Sequence, residues 1–228
     1  YMRIGIIIAM DKEFGRIKAL LENPKDIERG GRRYTVGTTG CNELVLHQCG
    51  IGKVNAAIGA TELLTGFSPD AVVSTGVAGG AATTLGIGEV VAAAQTCYHD
   101  VYCGEEQAYG QIPGMQERFD ADPRLLRTAL SLDCGTKITS GLTVTGDWFV
   151  DSRDKMRDII SHFPEAAAVD MESAAIAHAC AQRNVPFISF RIISDIPLSD
   201  HKARQYFNFW ETAADSSFEV TKAFIERI

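Results

Sequence analysis

Three apolar runs constrain this chain more than anything else in it: "RIGIIIA" (3–9), "DAVVSTG" (70–76) and "PFISFRIIS" (186–194). Their β-branched and aromatic residues sit on consecutive positions rather than alternate ones, so a strand built from them must bury both faces. Only a sheet covered on both sides provides that environment. The segments between the runs carry the cover. In "VNAAIGATELLTGFSPD" (54–70), Val54, Ala57, Ile58, Leu63 and Leu64 fall on one helical face, and Gly66 and Pro69 mark its end. "PRLLRTALSL" (123–132) and "ESAAIAHACAQR" (172–183) read as further helices, with a final amphipathic helix over roughly 208–226. "ELVLHQCG" (43–50), "GEVVAAAQTCYHD" (88–100), "TKITSGLTVTG" (136–146) and "AAAVD" (166–170) read as additional strands, and "GVAGG" (76–80) as a glycine-rich turn. Strands alternating with helices predict one α/β domain over residues 2–228, its central sheet mixed but mostly parallel and flanked by helices. The stretch "GEEQAYGQIPGMQERFDADP" (104–123) has turn residues and little periodicity, and is expected to be a functional or interface loop.

Charge narrows the partners. The chain carries 22 basic against 29 acidic residues, a net charge of −7, which disfavours a nucleic-acid surface and attraction to anionic membranes. No apolar stretch approaches the 18 or so residues of a membrane span. The opening "YMRIGIIIAM" lacks a small-residue cleavage site and runs into "DKE", so it reads as a first strand rather than a signal peptide, with Tyr1 an addition ahead of Met2. A cytoplasmic protein is expected. Six scattered cysteines without a C-x-x-C pair predict reduced, mostly buried thiols.

In open α/β sheets ligands gather beyond the carboxyl ends of the strands, so the polar residues there are the first candidates for chemistry. Glu13 follows the first strand, Thr75 and the "GVAGG" turn another, and Asp147, Trp148 and Phe149 a third. Asp170, Met171 and Glu172 follow "AAAVD", and Ser194 and Asp195 follow "FISFRII". Each acid has an ordinary explanation: Asp170 and Glu172 stand at a helix start, Asp195 before a turn, and Glu13 beside Asp11 and Lys12 on what reads as a solvated helix. Acids at three strand ends together make a site the better reading, although spacing alone does not name the reaction. Competing motifs fail. "CGIGKV" has His47 and Val54 where a phosphate loop needs glycine and Ser/Thr, and "GVAGG" lacks the dinucleotide order. The pair His99–Asp100 has no third ligand nearby in sequence, so no metal site is assigned. No G-x-S-x-G elbow occurs.

The motifs "GIIIAMDKE" (5–13), "CGIGKVNAA" (49–57), "STGVAGG" (74–80), "TGDWFV" (145–150), "VDMES" (169–173) and "RIISD" (191–195) stand in the order seen in the purine nucleoside phosphorylase/uridine phosphorylase superfamily. The chain most resembles its bacterial 5′-methylthioadenosine/S-adenosylhomocysteine nucleosidases. That resemblance implies a three-layer sandwich and hydrolysis of an adenosine N-glycosidic bond without metal or cofactor. It implies Asp195 as the acid protonating adenine N7, Glu13 as the carboxylate activating water, and Glu172 as the ligand of the ribose hydroxyls beside Met171. Phe149 would stack on adenine and the Val150 backbone would bond its edge. Ile51 and Met10 would line the sugar and 5′ side, and Val77, Ala78 and Gly79 the substrate. The chemistry fits: glycoside cleavage passes through an oxocarbenium-like state, which needs an acid at the leaving base and negative charge at the sugar. Lys12 and Arg16 are the only bases near the first loop, which favours water over phosphate as nucleophile. The resemblance also implies a homodimer whose neighbouring subunit closes the 5′ pocket, Pro113 matching that contribution. Val77 replaces a common serine, and 101–108 is short, offering Glu105 and Glu106 where an aromatic residue is usual. Tyr206 or Phe207 would complete the apolar wall. The alternatives are a nucleoside phosphorylase, a nucleosidase for another 5′-substituted adenosine, and a nucleoside-binding protein without turnover.

Overall fold

The computed structural model describes residues 1–199 and 202–228, with the side chains of 202 and 203 outside the description. The first strand, β1 (Arg3–Ile8), is followed by α1 (Asp11–Lys18) and a meander of β2 (Glu22–Arg29), β3 (Arg32–Thr39) and β4 (Asn42–Gln48). Next come α2 (Lys53–Phe67), β5 (Ala71–Gly80), β6 (Val90–Tyr98), the two-residue β7 (Phe119–Asp120), α3 (Pro123–Leu130) and β8 (Ile138–Thr145). The chain continues through α4 (Arg153–His162), β9 (Ala166–Asp170), α5 (Ser173–Gln182) and β10 (Phe187–Asp195). It ends in α6 (Lys202–Asn208), a π-helical turn (Phe209–Ala213), α7 (Ala214–Ser217) and α8 (Glu219–Arg227).

All the strands belong to one mixed sheet, in the order β10-β6-β8-β9-β5-β1-β4-β3-β2 with β7 on β6. The long central pairings β1–β4, β1–β5, β5–β10, β6–β8 and β8–β9 are parallel. Antiparallel pairing is found in the β2–β3–β4 meander, at β6–β7 and where β10 meets β6 and β5 meets β9. Because β5 pairs with both β9 and β10, the strands β5, β9, β8, β6 and β10 close into a ring, with β1 and the meander extending from it.

The two faces follow from the strand period of two. Ile4, Ile6 and Ile8 of β1 point into one core with α3 and the C-terminal helices, whose Phe209, Phe218 and Phe224 are buried there. Ile7, between them, points into the opposite core formed with α2 and α5. The alanine-rich α5 and the small residues Ala56, Gly59 and Ala60 of α2 let helices and sheet approach closely; a Cβ on Gly59 would lie 2.7 Å from the Cβ of Cys49.

Four expectations are corrected. "GVAGG" is the end of β5 and not a turn, because its backbone pairs with β10 and, at Gly79 and Gly80, with β9. On α2 Leu63 and Leu64 are buried as expected, but they share the packed face with Ala56, Gly59 and Ala60, leaving Val54 and Ile58 at 68% and 41% exposed. The C-terminal helix begins earlier than expected, at Lys202, carries a π-helical turn at Phe209–Ala213 and is interrupted at Phe218, before α8. All six cysteines are free, but Cys41, Cys103 and Cys134 are exposed and only Cys49, Cys97 and Cys180 are buried. Among the described residues no helix is long and apolar enough to cross a membrane.

Candidate active site

The carboxyl ends of β1, β4, β5, β8, β9 and β10 surround one cavity. Met10 follows β1, Ile51 follows β4, and Val77, Ala78 and Gly79 line the cavity from the end of β5. Phe149 and Val150 reach it after β8, Met171 and Glu172 after β9, and Asp195 from the last residue of β10. Glu13 enters from α1 and Tyr206 from α6. Apart from Pro113, the residues given substrate roles by the resemblance line the cavity, with Tyr206 rather than Phe207, while Thr75 and Asp147 do not line it. Pro113 lies exposed in the segment before β7, outside the cavity.

Glu13 is not a solvated helix residue: it is 1% exposed. It occupies the third position of α1, so its carboxylate folds back to accept the Met10 N–H (3.1 Å), as an acid at that position of a helix start does. Its other oxygen accepts the Val77 N–H from β5 (2.9 Å). The approach is possible because residue 76 is glycine: φ there is +139°, and a Cβ would lie 2.5 Å from Glu13 Oε1. Burial pushes the Glu13 carboxyl above the usual range, against the pull of Arg191 and of the backbone N–H groups.

Glu172 is 4% exposed and sits at the N-terminal edge of α5. Its Oε1 accepts the Gly52 N–H at the start of α2 (3.1 Å), and its Oε2 lies 3.3 Å from Arg191 Nη1. Burial pushes it up to about 7; Arg191 opposes that shift and Asp170 adds to it. Asp170, expected to be a helix cap, is one: it accepts the backbone N–H groups of Glu172 and Ser173 (3.3 and 3.2 Å). It also accepts the hydroxyls of Thr145 (2.6 Å) and Ser173, and pairs with Arg191 Nε at 3.1 Å.

Asp195 owes its placement to an irregularity. Ile193 pairs with Ala78 and Asp195 with Gly79, so one extra residue of β10 is inserted against β5. Successive strand residues normally face opposite sides; across this bulge Ser194 and Asp195 both line the cavity. The Ser194 hydroxyl donates to Asp195 Oδ1 (2.7 Å). At the mouth, Trp148 and Phe149 are more than half exposed, and Phe149 meets the Tyr206 ring edge-on with centroids 5.8 Å apart.

Arg191, Ser194 and Trp148 line the cavity without having been assigned a role from the sequence. For Arg191 a signal existed: a lone basic residue inside the apolar run "FISFRII" must be paired once that run is buried. It is 2% exposed and also donates to the Val77 carbonyl (3.1 Å) and the Ser74 hydroxyl (2.8 Å). Burial alone would lower its pKa, but Asp170, Glu172 and Glu13 together hold it raised. Three carboxylates thus share one guanidinium, and it is the only basic residue among the described residues lining the cavity. Among the described residues no group of three or more His, Cys, Asp or Glu is arranged to hold a metal. Asp100 instead binds Lys53 Nζ (2.8 Å) and the Asp147 N–H (2.7 Å).

Residues 3–226 match the sequence pattern described as the phosphorylase superfamily. In solved structures the chain is similar to S-adenosylhomocysteine nucleosidase from Streptococcus pyogenes, in complex with 5-methylthiotubericidin. There the identity is 35%, the TM-score 0.91, and the match covers 100% of this chain and 97% of that one. The 5′-methylthioadenosine/S-adenosylhomocysteine nucleosidase of Streptococcus pneumoniae, with a transition-state inhibitor, shares 37% identity at TM-score 0.90 over 99% of both chains. The corresponding Neisseria meningitidis enzyme, in complex with methylthio-immucillin-A, shares 33% at TM-score 0.90, again over 99% of both. With the same fold and such identity along essentially the whole length, this chain belongs to the phosphorylase superfamily, in its branch of 5′-methylthioadenosine/S-adenosylhomocysteine nucleosidases, enzymes that act on adenosine N-glycosides.

Proposed function

We propose that the protein hydrolyses 5′-methylthioadenosine, S-adenosylhomocysteine or both, releasing adenine. The observation that carries this reading is the convergence of Glu13, Glu172 and Asp195 on one cavity with a single paired arginine and an aromatic mouth. Asp195 is the general acid at adenine N7, so that the base leaves neutral. Glu172 accepts the ribose hydroxyl protons and, once ionised, favours positive charge on the sugar ring. Glu13 orients and deprotonates the attacking water. Its burial strengthens it as a base, while the Met10 and Val77 N–H groups fix its direction. Phe149 stacks on adenine, Val150 bonds its edge through the backbone, and Met171, Met10 and Ile51 pack against the sugar and its 5′ substituent.

The charge balance supports water rather than phosphate as nucleophile. Arg191 is already paired with Asp170 and Glu172, and an incoming phosphate would meet the Glu13 and Glu172 carboxylates instead of a cationic cradle. A neighbouring copy closes the 5′ end through Pro113, and the exposed Ile51, Val54 and Ile58 supply apolar surface for it. Incubation with 5′-methylthioadenosine, with and without phosphate, tests the reaction. Adenine and free methylthioribose are expected in both cases; ribose-1-phosphate-type product that appears only with phosphate would replace hydrolysis by phosphorolysis, and no adenine in either would end the enzyme reading.

A further inference from the structure

Asp100, at the end of β6, lies outside the cavity and takes no part in the reaction proposed above, yet its contacts join the elements that would hold the two halves of the substrate. Its Oδ1 accepts from Lys53 Nζ (2.8 Å) and its Oδ2 from the Asp147 backbone N–H (2.7 Å). Asp147 in turn accepts the Lys53 backbone N–H through Oδ1 (2.7 Å). The three residues form a closed ring across the end of β6, the end of β8 and the first turn of α2. Two of its bonds are made by main-chain N–H groups, so the ring fixes backbone positions.

Each side of the ring leads directly into the cavity. Gly52, one residue before Lys53, donates its N–H to Glu172 Oε1 (3.1 Å). Its φ is +95°, and a Cβ there would lie 3.0 Å from Asp147 Oδ1, so the start of α2 and the Asp147 carboxylate are in close contact. On the other side, Asp147 is followed by Trp148, Phe149 and Val150. One end of the ring therefore reaches the carboxylate proposed for the ribose, and the other the segment proposed for adenine. An ordinary surface ion pair would join two side chains and contribute little; this one locks two N–H groups and a helix start.

We propose that Asp100 is a positioning residue which, through Lys53 and Asp147, holds the 146–150 segment at a set distance from Glu172. The proposal rests on the functional reading above, because it matters only if the two sides bind the two halves of one nucleoside. Without the ring the 146–150 segment would leave the place where it meets the base, so capture of the base suffers first, while Glu13 and Asp195 keep their own hydrogen bonds.

The test uses Asp100→Asn, Lys53→Met and the double variant, with adenine affinity by calorimetry, kcat and KM for 5′-methylthioadenosine, and melting temperature. Asp100→Asn should weaken adenine binding and raise KM by roughly tenfold while kcat stays within about threefold and melting within a few degrees. Lys53→Met should move the same quantities, and the double variant should lose no more than Asp100→Asn, since both cut one linkage. Wild-type adenine affinity in Asp100→Asn overturns the proposal, as does a loss expressed only in melting temperature or multiplying between the two variants. Should Asp100→Asn fail to fold, unchanged adenine affinity in Lys53→Met overturns it alone. A wild-type protein that does not bind adenine at all would instead overturn the functional reading, and this proposal with it.

Discussion

Around Arg191, three carboxylates that are almost fully buried compete for one positive charge, and that competition organises the site at the level of single residues. Asp170 and Glu172 take the direct contacts, at 3.1 and 3.3 Å. Glu13 is held by backbone N–H groups instead. Asp195 sits across the bulge in β10, where the Ser194 hydroxyl donates to its Oδ1 at 2.7 Å. Replacing Asp195 by asparagine keeps its size and removes the acid, so kcat should fall by roughly a hundredfold or more, the usual scale for losing a general acid. Steady-state assay with 5′-methylthioadenosine checks this, and near-wild-type turnover would remove Asp195 from the role. The acids themselves were legible in the sequence because they stand at strand ends. That Arg191 needs acidic partners was legible as well, from a lone basic residue in the apolar run "FISFRII", but which acids it meets was not, since nothing in the spacing of one segment shows what another brings to it.

At the scale of elements, β5 does what a turn was expected to do, and it does so while remaining a strand. Its glycines allow three neighbours to approach: α1 through Glu13 at Gly76, and β9 and β10 at the strand's end. Gly76→Ala would meet the Glu13 carboxylate at 2.5 Å in a backbone conformation that alanine rarely adopts. The expected result is a fall in kcat of about tenfold or more, and a much smaller further loss when Glu13 is already alanine, because strain shared with Glu13 is then released. Equal losses in both backgrounds would show that Gly76 acts independently of Glu13. The elements the sequence did not reveal share a physical reason. β2, "ENPKDIER", is an edge strand exposed along nearly its whole length, with Pro24 where no partner is lost, so it carries no apolar period. α4 buries only Met156 and Ile159. α1 buries Glu13 and Ile17, and a buried acid reads as solvated until its partners are known.

Over the whole molecule, closure of β5, β9, β8, β6 and β10 into a ring brings the ends of distant strands around one cavity, and the cost of concentrating acids there should show in the pH dependence of folding. Burial raises Glu172 to about 7 in the folded protein. In the unfolded chain it titrates in the ordinary glutamate range, so between the two values the folded state keeps a proton that the unfolded state has released. The stabilising contribution is complete at acid pH below the ordinary glutamate value and is lost as pH rises through about 7. A raised pKa of that size corresponds to about 3 kcal/mol, at roughly 1.4 kcal/mol per unit. Glu13 is raised by burial as well and acts in the same direction. The buried His47 and His99 and the half-buried His178 act in the opposite direction: desolvation lowers their pKa values, so their contribution is lost as pH falls. A melting curve of the wild type alone would mix these effects, and Glu172→Gln separates them. The amide has no proton to release, so the wild type should lose about 5–10 °C more than the variant between pH 5 and pH 8, on the usual scaling for a chain of this length. The Arg191 contact is part of what sets the Glu172 titration, so its loss in the variant belongs to the same comparison. Parallel pH profiles in the two proteins would mean that Glu172 is already ionised at pH 5, and that Arg191 outweighs burial in setting its charge.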